Sequence, residues 1–436
     1  MRNLTLYWSV WGLQTFVLFL IWIDILPMPP AKLLSVWSIF LVLFISHYFT
    51  ISPKLKYLGL SHVHFLYAAI CAFGLDWMHT LIGDYTLENI RPASLYFLSS
   101  PNYYRAIVLS MLAFLFYPIG CAISTKSQTE ETFVIDETSL QKNITYVGLI
   151  FLSLAALFFV YMLATGIISI GMDYSLFREV AYDNEYYSWV IMIYSIGLCW
   201  SISCGNEKQK KIAWGLFAFS AAVFFLTGNK GEVLYALLTV IAVMRYKGLK
   251  ISFKLILALA FIAFILIPIV TSSRHQGGIF ENLGDVALNF SGFFTELGMQ
   301  LRCTVMILDD YARGARDYLL GYSYYGPIIN HIPGLHMADP RSFDFKEAFA
   351  TMGFNQIAEG YANFGAIGSI AYFTITSWYL SKNESKQLTM PKLALLGAIC
   401  SELVNISRNR FLPFFPHIAI ILFLYYIVKL LSKINK

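Results

Sequence analysis

Apolar runs of membrane-spanning length recur along the whole chain, separated by short polar turns. They cover residues 6–27, 33–51, 62–82, 104–124, 144–166, 188–204, 212–228, 232–246, 252–272, 360–380, 392–406 and 411–431. A helix that crosses a bilayer needs about 20 apolar residues. The pattern therefore predicts an all-α polytopic membrane protein of about 12 transmembrane helices, with residues 1–436 forming a single integral membrane domain. The first run follows Met1-Arg2-Asn3 and has no small-x-small cleavage site behind it, so it reads as a retained span. Tyr186, Tyr187 and Trp189 gather at a run end, as interfacial aromatics do. One long polar segment, residues 273–359, interrupts the pattern between the ninth and tenth spans. Within it, Leu297, Leu301, Val305, Leu308, Ala312, Ala315 and Leu319 keep helical spacing, and Asp309–Arg313 and Arg313–Asp317 stand at i,i+4. The stretch from Tyr322 to Asp344 is rich in Tyr, Gly and Pro and reads as irregular backbone suited to stacking sugars, with Tyr324 and Tyr325 as candidates.

Composition agrees: 58% of residues are hydrophobic and 13% charged, at a mean hydropathy of +0.62. Soluble domains carry roughly 25% charged residues. A soluble enzyme, a disordered tail and a nucleic-acid binder are excluded. The six cysteines contain no C-x-x-C pair and form no disulfide framework.

Loop charge sets the expected orientation. With the N-terminus in the cytoplasm and strict alternation, the inner segments hold 18 basic and 6 acidic residues and the outer ones 13 and 20. Both termini are then cytoplasmic and 273–359 is a large periplasmic loop containing short helices. Sixteen of 19 lysines fall inside, whereas ten of 12 arginines fall outside. A planar, permanently charged fork suits bidentate capture of phosphate or carboxylate. Pairing with the outer acids is the other reading of those arginines.

Four outer features carry candidate chemistry. Gly228-Asn229-Lys230-Gly231 is a tight turn before an outward-starting helix, where free N–H groups and Lys230 could meet an anion. Arg274-His275 lies at the mouth of the ninth span and serves either as an interfacial anchor or as an anion contact. Gln356-x-x-Glu359-x-x-x-Asn363 puts three polar side chains on one helical face, flanked by Gly360, Gly365 and Gly368. An acid there is either functional or a complement to the helix dipole. Arg408-x-Arg410 forms the turn between the last two spans. Arg302 and Asp310 stand out in the loop helix, and Asp76 with His79 reads as an internal hydrogen-bonded pair. There is no H-E-x-x-H, G-x-S-x-G or P-loop, and no metal site is expected.

These residues resemble the O-antigen polymerases of the Wzy type. The likeness rests on Thr227-Gly228-Asn229-Lys230-Gly231-Glu232, on Ile332-Pro333-Gly334 with Asp339-Pro340, and on Gly353-Phe354-Asn355-Gln356-Ile357-Ala358-Glu359-Gly360-Tyr361-Ala362-Asn363-Phe364-Gly365. Gly334 and Asp339 depart from the family pattern, and Arg341 is a substitute cation. The resemblance implies a glycosyltransferase that joins undecaprenyl-diphosphate-linked oligosaccharide repeat units at the periplasmic face of the bacterial inner membrane. It implies no cofactor and no metal, membrane lipid as a partner, and a chain-length regulator and a flippase alongside. Lys230, Arg274, Arg302, Arg408 and Arg410 would hold diphosphate. Glu359, or failing it His331, would take the acceptor proton, and Tyr361, Asn363, Tyr324 and Tyr325 would contact glycan. An O-antigen ligase or a multi-span polysaccharide or lipid transporter is the alternative. The missing repeat between halves and the outer position of the long loop disfavour the transporter.

Overall fold

The computed structural model describes residues 2–52, 55–83, 95–125, 138–169, 172, 176–177, 179–180, 185–227, 231–248, 294, 297–330, 334–335, 355–384, 388–408 and 414–434. Among them every regular element is helical. In chain order these are α1 (Arg2–Trp22), α2 (Ala31–Ile51), α3 (Leu60–Leu81), α4 (Tyr103–Leu115), α5 (Tyr117–Thr125), α6 (Thr138–Ala164), α7 (Glu185–Cys204), α8 (Glu207–Leu226) and α9 (Gly231–Tyr246). Then come α10 (Leu301–Ala312), α11 (Tyr322–Asn330), α12 (Gln356–Glu384), α13 (Met390–Ile406) and α14 (Phe414–Ile434), with a 3-10 turn at Tyr96–Ser99 before α4. Eleven of the expected apolar runs coincide with helices, and the ninth, 252–272, lies outside the described residues. Among the described residues five helical stretches are long and apolar enough to cross a membrane: Leu4–Trp22, Ala31–Ile51, Tyr103–Ser124, Ser139–Ala164 and His417–Ile434. The fourth run is interrupted: α4 ends at Leu115 and α5 restarts just before Pro118, whose missing N–H and bulky ring disfavour an unbroken helix.

Two apolar cores share α3. One gathers α1, α2, α4, α5 and part of α10 and α12, the other α6 to α9, α13 and α14. The central helix must bury side chains on all sides, and Leu60 through Asp76 is enclosed almost without a break. Glycines set its closest approaches. A Cβ on Gly74 would meet the Phe294 carbonyl at 2.5 Å.

Side-chain bonds between helix ends show that helices successive in the chain from α6 to α9, and from α12 to α14, alternate in direction. At one end, the Ser61 N–H (3.1 Å), its hydroxyl and the Tyr246 hydroxyl (2.8 Å) all donate to Glu384, joining the start of α3 to the ends of α9 and α12. Lys247 Nζ donates to the Ile202 and Ser203 carbonyls at 2.9 and 2.6 Å, satisfying last-turn carbonyls of α7. Asn143 on α6 donates to Ser432 on α14 at 2.9 Å. Lys56, Lys247, Lys382 and Lys433 thus collect at this lysine end.

The tenth span departs from the expected rod. Phe364 (φ −142°, ψ 24°) and Gly365 (φ 65°, ψ −154°) break α12 into two segments. A backbone like that of Gly365 is open almost only to glycine. Residues 356–363 fold back along 366–384: the Ser369 hydroxyl donates to the Ile357 carbonyl at 2.7 Å, and a Cβ on Gly360 would sit 2.6 Å from Ser369 Cα. Glu359 is therefore on a short re-entrant helix that enters the bundle from the end opposite the lysines, not at the head of a straight span. Asp76 has more partners than expected. It accepts from Ser35 (2.5 Å), Thr80 (3.0 Å) and Tyr103 (3.2 Å), side chains mostly of other helices, and lies in electrostatic range of His79.

The alternation and the lysine bias together predict sidedness. Leu320, 71% exposed, belongs to the re-entrant end, and Glu207, with its side chain 83% exposed, to the lysine end. In a Cys204→Ser background, Leu320→Cys should react with an impermeant thiol reagent on intact spheroplasts, and Glu207→Cys only after lysis. The opposite pattern would invert the bundle.

Candidate functional site

The re-entrant helix is built from its cap upward. Asn355 Oδ1 accepts from the Ala358 N–H at 2.7 Å, the bond expected of an asparagine N-cap. The Asn355 amide ties the cap to α10 through the Gln300 carbonyl (2.7 Å) and Thr304 Oγ1 (3.0 Å). At the other end the Leu319 and Leu320 N–H groups donate to the Ala362 and Asn363 carbonyls at 2.9 and 3.2 Å, and the Tyr311 hydroxyl adds 2.8 Å to Ala362. Both ends of a helix buried in the bundle are thereby satisfied.

Its polar face carries the expected trio. Glu359, 6% exposed, accepts through Oε1 from Ser323 Oγ at 2.8 Å. Asn363 Nδ2 donates to the same Ser323 oxygen at 2.7 Å and to the Glu359 carbonyl at 2.8 Å, while its buried Oδ1 has no partner among the described residues. Tyr324, next to Ser323 on α11, sits beside the Glu359 carboxylate, and burial followed by that charge holds its phenol well above the ordinary range. One turn deeper, Gln356 Nε2 donates to the Leu403 carbonyl at 3.2 Å and lies 3.5 Å from His64 Nε2, whose Nδ1 pairs with Tyr117 at 3.0 Å. A space of about 10 Å³, room for one water, opens at this foot between Ala68, Cys71 and Ala72 of α3, Gln356 and Ser407.

The other candidates divide. Arg408 follows Ser407 and lies in electrostatic range of Tyr67, Cys71 and Tyr235, so its charge bears on the same inner wall. Arg302 is 7% exposed, its Nε has no partner among the described residues, and burial pushes its guanidinium below the usual range. It turns toward Tyr96, away from the re-entrant helix, on which Cys303 packs through Ala358 and Ala362. Tyr361 occupies the opposite face from Glu359, in a ring cluster with Trp22 (6.3 Å), Tyr311 (5.6 Å) and Tyr318 (6.2 Å). Tyr325 is exposed and packs edge-on to Tyr322 at 5.2 Å. Lys230, Arg274, His331 and Arg410 lie outside the described residues. The loop-helix ion pairs are re-sorted: Asp310, not Asp309 or Asp317, takes Arg313 (2.8 Å) and Arg316 (2.6 Å). Asp309 instead accepts from Ser100 and Asn102 at 2.7 and 2.8 Å. Among the described residues no group of three His, Cys, Asp or Glu side chains could hold a metal ion.

Sequence reasoning missed Asn355, Ser323 and a His417–Glu402 contact at 3.1 Å between α14 and α13. Asn355 was findable, since asparagine directly before a helical run is a capping signal. Ser323 and His417 carry no local signal, because their partners are 36 and 15 residues away.

The profile of the O-antigen polysaccharide polymerase Wzy family matches residues 10–436. The chain belongs to this family. It is also similar to Protein CapE of Staphylococcus aureus, 26% identical over 362 residues, which is 81% of this chain and 80% of that protein. No solved structure matches. Membership in the Wzy family makes this a multi-pass membrane protein with a polymerase, glycosyltransferase-type activity in surface polysaccharide synthesis. It places the chain with polymerases rather than with ligases or transporters. The motif ending in Tyr361-Ala362-Asn363-Phe364-Gly365 coincides with the re-entrant helix and its turn.

Arg302 gives a test that separates folding from function. An unpaired buried charge destabilises the protein that holds it. Arg302→Met should therefore raise the melting temperature of the purified protein, by on the order of 1–3 kcal/mol in stability, while lowering polymer output in cells. Thermal unfolding in detergent and a polysaccharide gel read the two effects. A lower melting temperature would make Arg302 a structural residue.

Proposed function

We propose that the chain joins undecaprenyl-diphosphate-linked oligosaccharide repeat units into O-antigen or a related surface polysaccharide at the periplasmic face of the inner membrane. The observation that carries this reading is the re-entrant helix. With Ser323 of α11 it forms one buried patch at the arginine-rich end that holds a carboxylate, a serine hydroxyl and an amide oxygen with no partner among the described residues. Such a patch offers both donors and acceptors to a sugar.

In this reading the sugar–diphosphate bond supplies the energy, so no nucleotide or metal is required. Arg408, together with Lys230, Arg274 and Arg410, faces the donor diphosphate and stabilises the charge that develops as it departs. Arg302 provides a second anion position on the far side of α10. Asn363 and Tyr324 hold glycan hydroxyls, and Tyr361 and Tyr325 offer ring faces along the entrance. Glu359 orients the sugar that attacks. Its Oε1 already accepts from Ser323, which fixes the carboxylate in place to receive a hydroxyl of the incoming sugar. His331, the second candidate proton acceptor, lies outside the described residues. A chain-length regulator and a flippase act as partners.

The test uses protein in lipid nanodiscs and lipid-linked repeat units extracted from cells lacking this chain. The unsubstituted protein should form a polymer ladder and release undecaprenyl diphosphate. Glu359→Gln keeps shape but weakens each accepted bond. It should raise KM about tenfold, equivalent to the ~1.5 kcal/mol of a hydrogen bond to a charged group, with little change in kcat. A collapse of kcat at unchanged KM would make Glu359 the proton acceptor.

A further inference from the structure

A second acid–base pair stands at the same end of the bundle. Glu402, on α13 and 3% exposed, has no cation within ion-pair distance among the described residues other than the imidazole of His417. His417 Nδ1 lies 3.1 Å from Glu402 Oε2, and Asn405 Nδ2 reaches the same oxygen at 3.5 Å. The His417 side chain is 14% exposed, and its Nε2 makes no hydrogen bond among the described residues. A carboxylate that takes the Nδ1 proton fixes the tautomer and leaves the Nε2 lone pair outward. This is the arrangement of an imidazole set to accept a proton.

Position supports the same use. His417 is in the first turn of α14, the helix that follows the Arg408–Arg410 turn, and Glu402 lies less than two turns before that turn. The next residue, Leu403, receives the Gln356 amide at the foot of the re-entrant helix. Helix α11, which brings Ser323 to Glu359, packs on both α14 and α12. The pair therefore lies within two turns of chain of Arg408, the described cation assigned to the diphosphate, and adjoins the element that carries the sugar-holding patch.

Resting on the polymerase reading, we infer that His417 is the proton acceptor of the reaction and Glu402 its positioning partner. The attacking sugar hydroxyl gives its proton to His417 Nε2 while its oxygen donates an electron pair to the anomeric carbon of the donor. The bond from that carbon to the diphosphate oxygen breaks, and the lipid diphosphate leaves with the electron pair. The imidazolium then passes its proton to water.

The experiment uses the nanodisc assay with extracted lipid-linked units. His417→Asn keeps a donor for Glu402 and removes the base. It should lower kcat about a hundredfold or more with KM within roughly threefold, at an unchanged melting temperature. His417→Gly should recover activity, saturably, with added imidazole. Glu402→Gln should lower kcat about tenfold and gain nothing from imidazole. Full kcat in His417→Asn would reduce the pair to a pin between α13 and α14 and overturn the inference. So would a folded His417→Gly that stays inactive at every imidazole concentration. Absence of polymer from the unsubstituted protein overturns instead the reading on which the inference rests.

Discussion

A helix that ends inside a membrane-embedded bundle must find partners for its terminal backbone groups, because hydrocarbon offers none. The re-entrant helix 356–363 meets that demand at both ends, and the rest of the site depends on how it does so. Asn355 caps the buried N-terminus and reaches α10. Leu319, Leu320 and Tyr311 close the C-terminus. Glycine contacts then press the helix against the second half of α12 so closely that a side chain at Gly360 would strike backbone. Two parts of the long polar segment are thus recruited as backbone partners. This explains why the first two turns of α10 are sunk into the bundle instead of lying on it.

Once that helix is fixed, its polar face is fixed as well. Glu359, Asn363 and Ser323 share one hydrogen-bonded knot, with an acceptor oxygen left over. Around it the charges are unevenly matched. Asp310 takes two arginines, whereas Arg302 is enclosed with no carboxylate in ion-pair distance among the described residues. Charges held ready in a low-dielectric interior act strongly on a charged ligand, and they need no reorganisation when it arrives. A transferase whose substrate brings its own leaving group gains more from such prearranged charges than from a cofactor.

Much of the fold was legible because span length and apolar composition are local properties of the sequence. The runs at 33–51, 62–82 and 392–406 match α2, α3 and α13 to within two residues. The grouping of Gln356, Glu359 and Asn363 on one helix also follows from spacing alone. What could not be read was the fold-back at Phe364 and Gly365. The apolar run continues straight through it, and only the tertiary contact between Gly360 and Ser369 reveals the reversal. The partner of Arg313 was misassigned for a local reason: i,i+4 spacing proposed Asp309 and Asp317, whereas Asp309 is engaged by Ser100 and Asn102 and Arg313 takes Asp310 at i−3, where Arg316 joins it.

The central claim is that the re-entrant helix forms the floor of the glycan site at the arginine-rich end. The most direct measurement is a cryo-electron microscopy structure of the protein with a lipid-linked repeat unit whose sugar–diphosphate oxygen is replaced by a non-cleavable methylene. The account predicts sugar hydroxyls within hydrogen-bond distance of Glu359 and Asn363, and phosphate oxygens on the side of Arg408. Density for the sugar at the lysine end beside Glu384, with the 356–363 face empty, would contradict it.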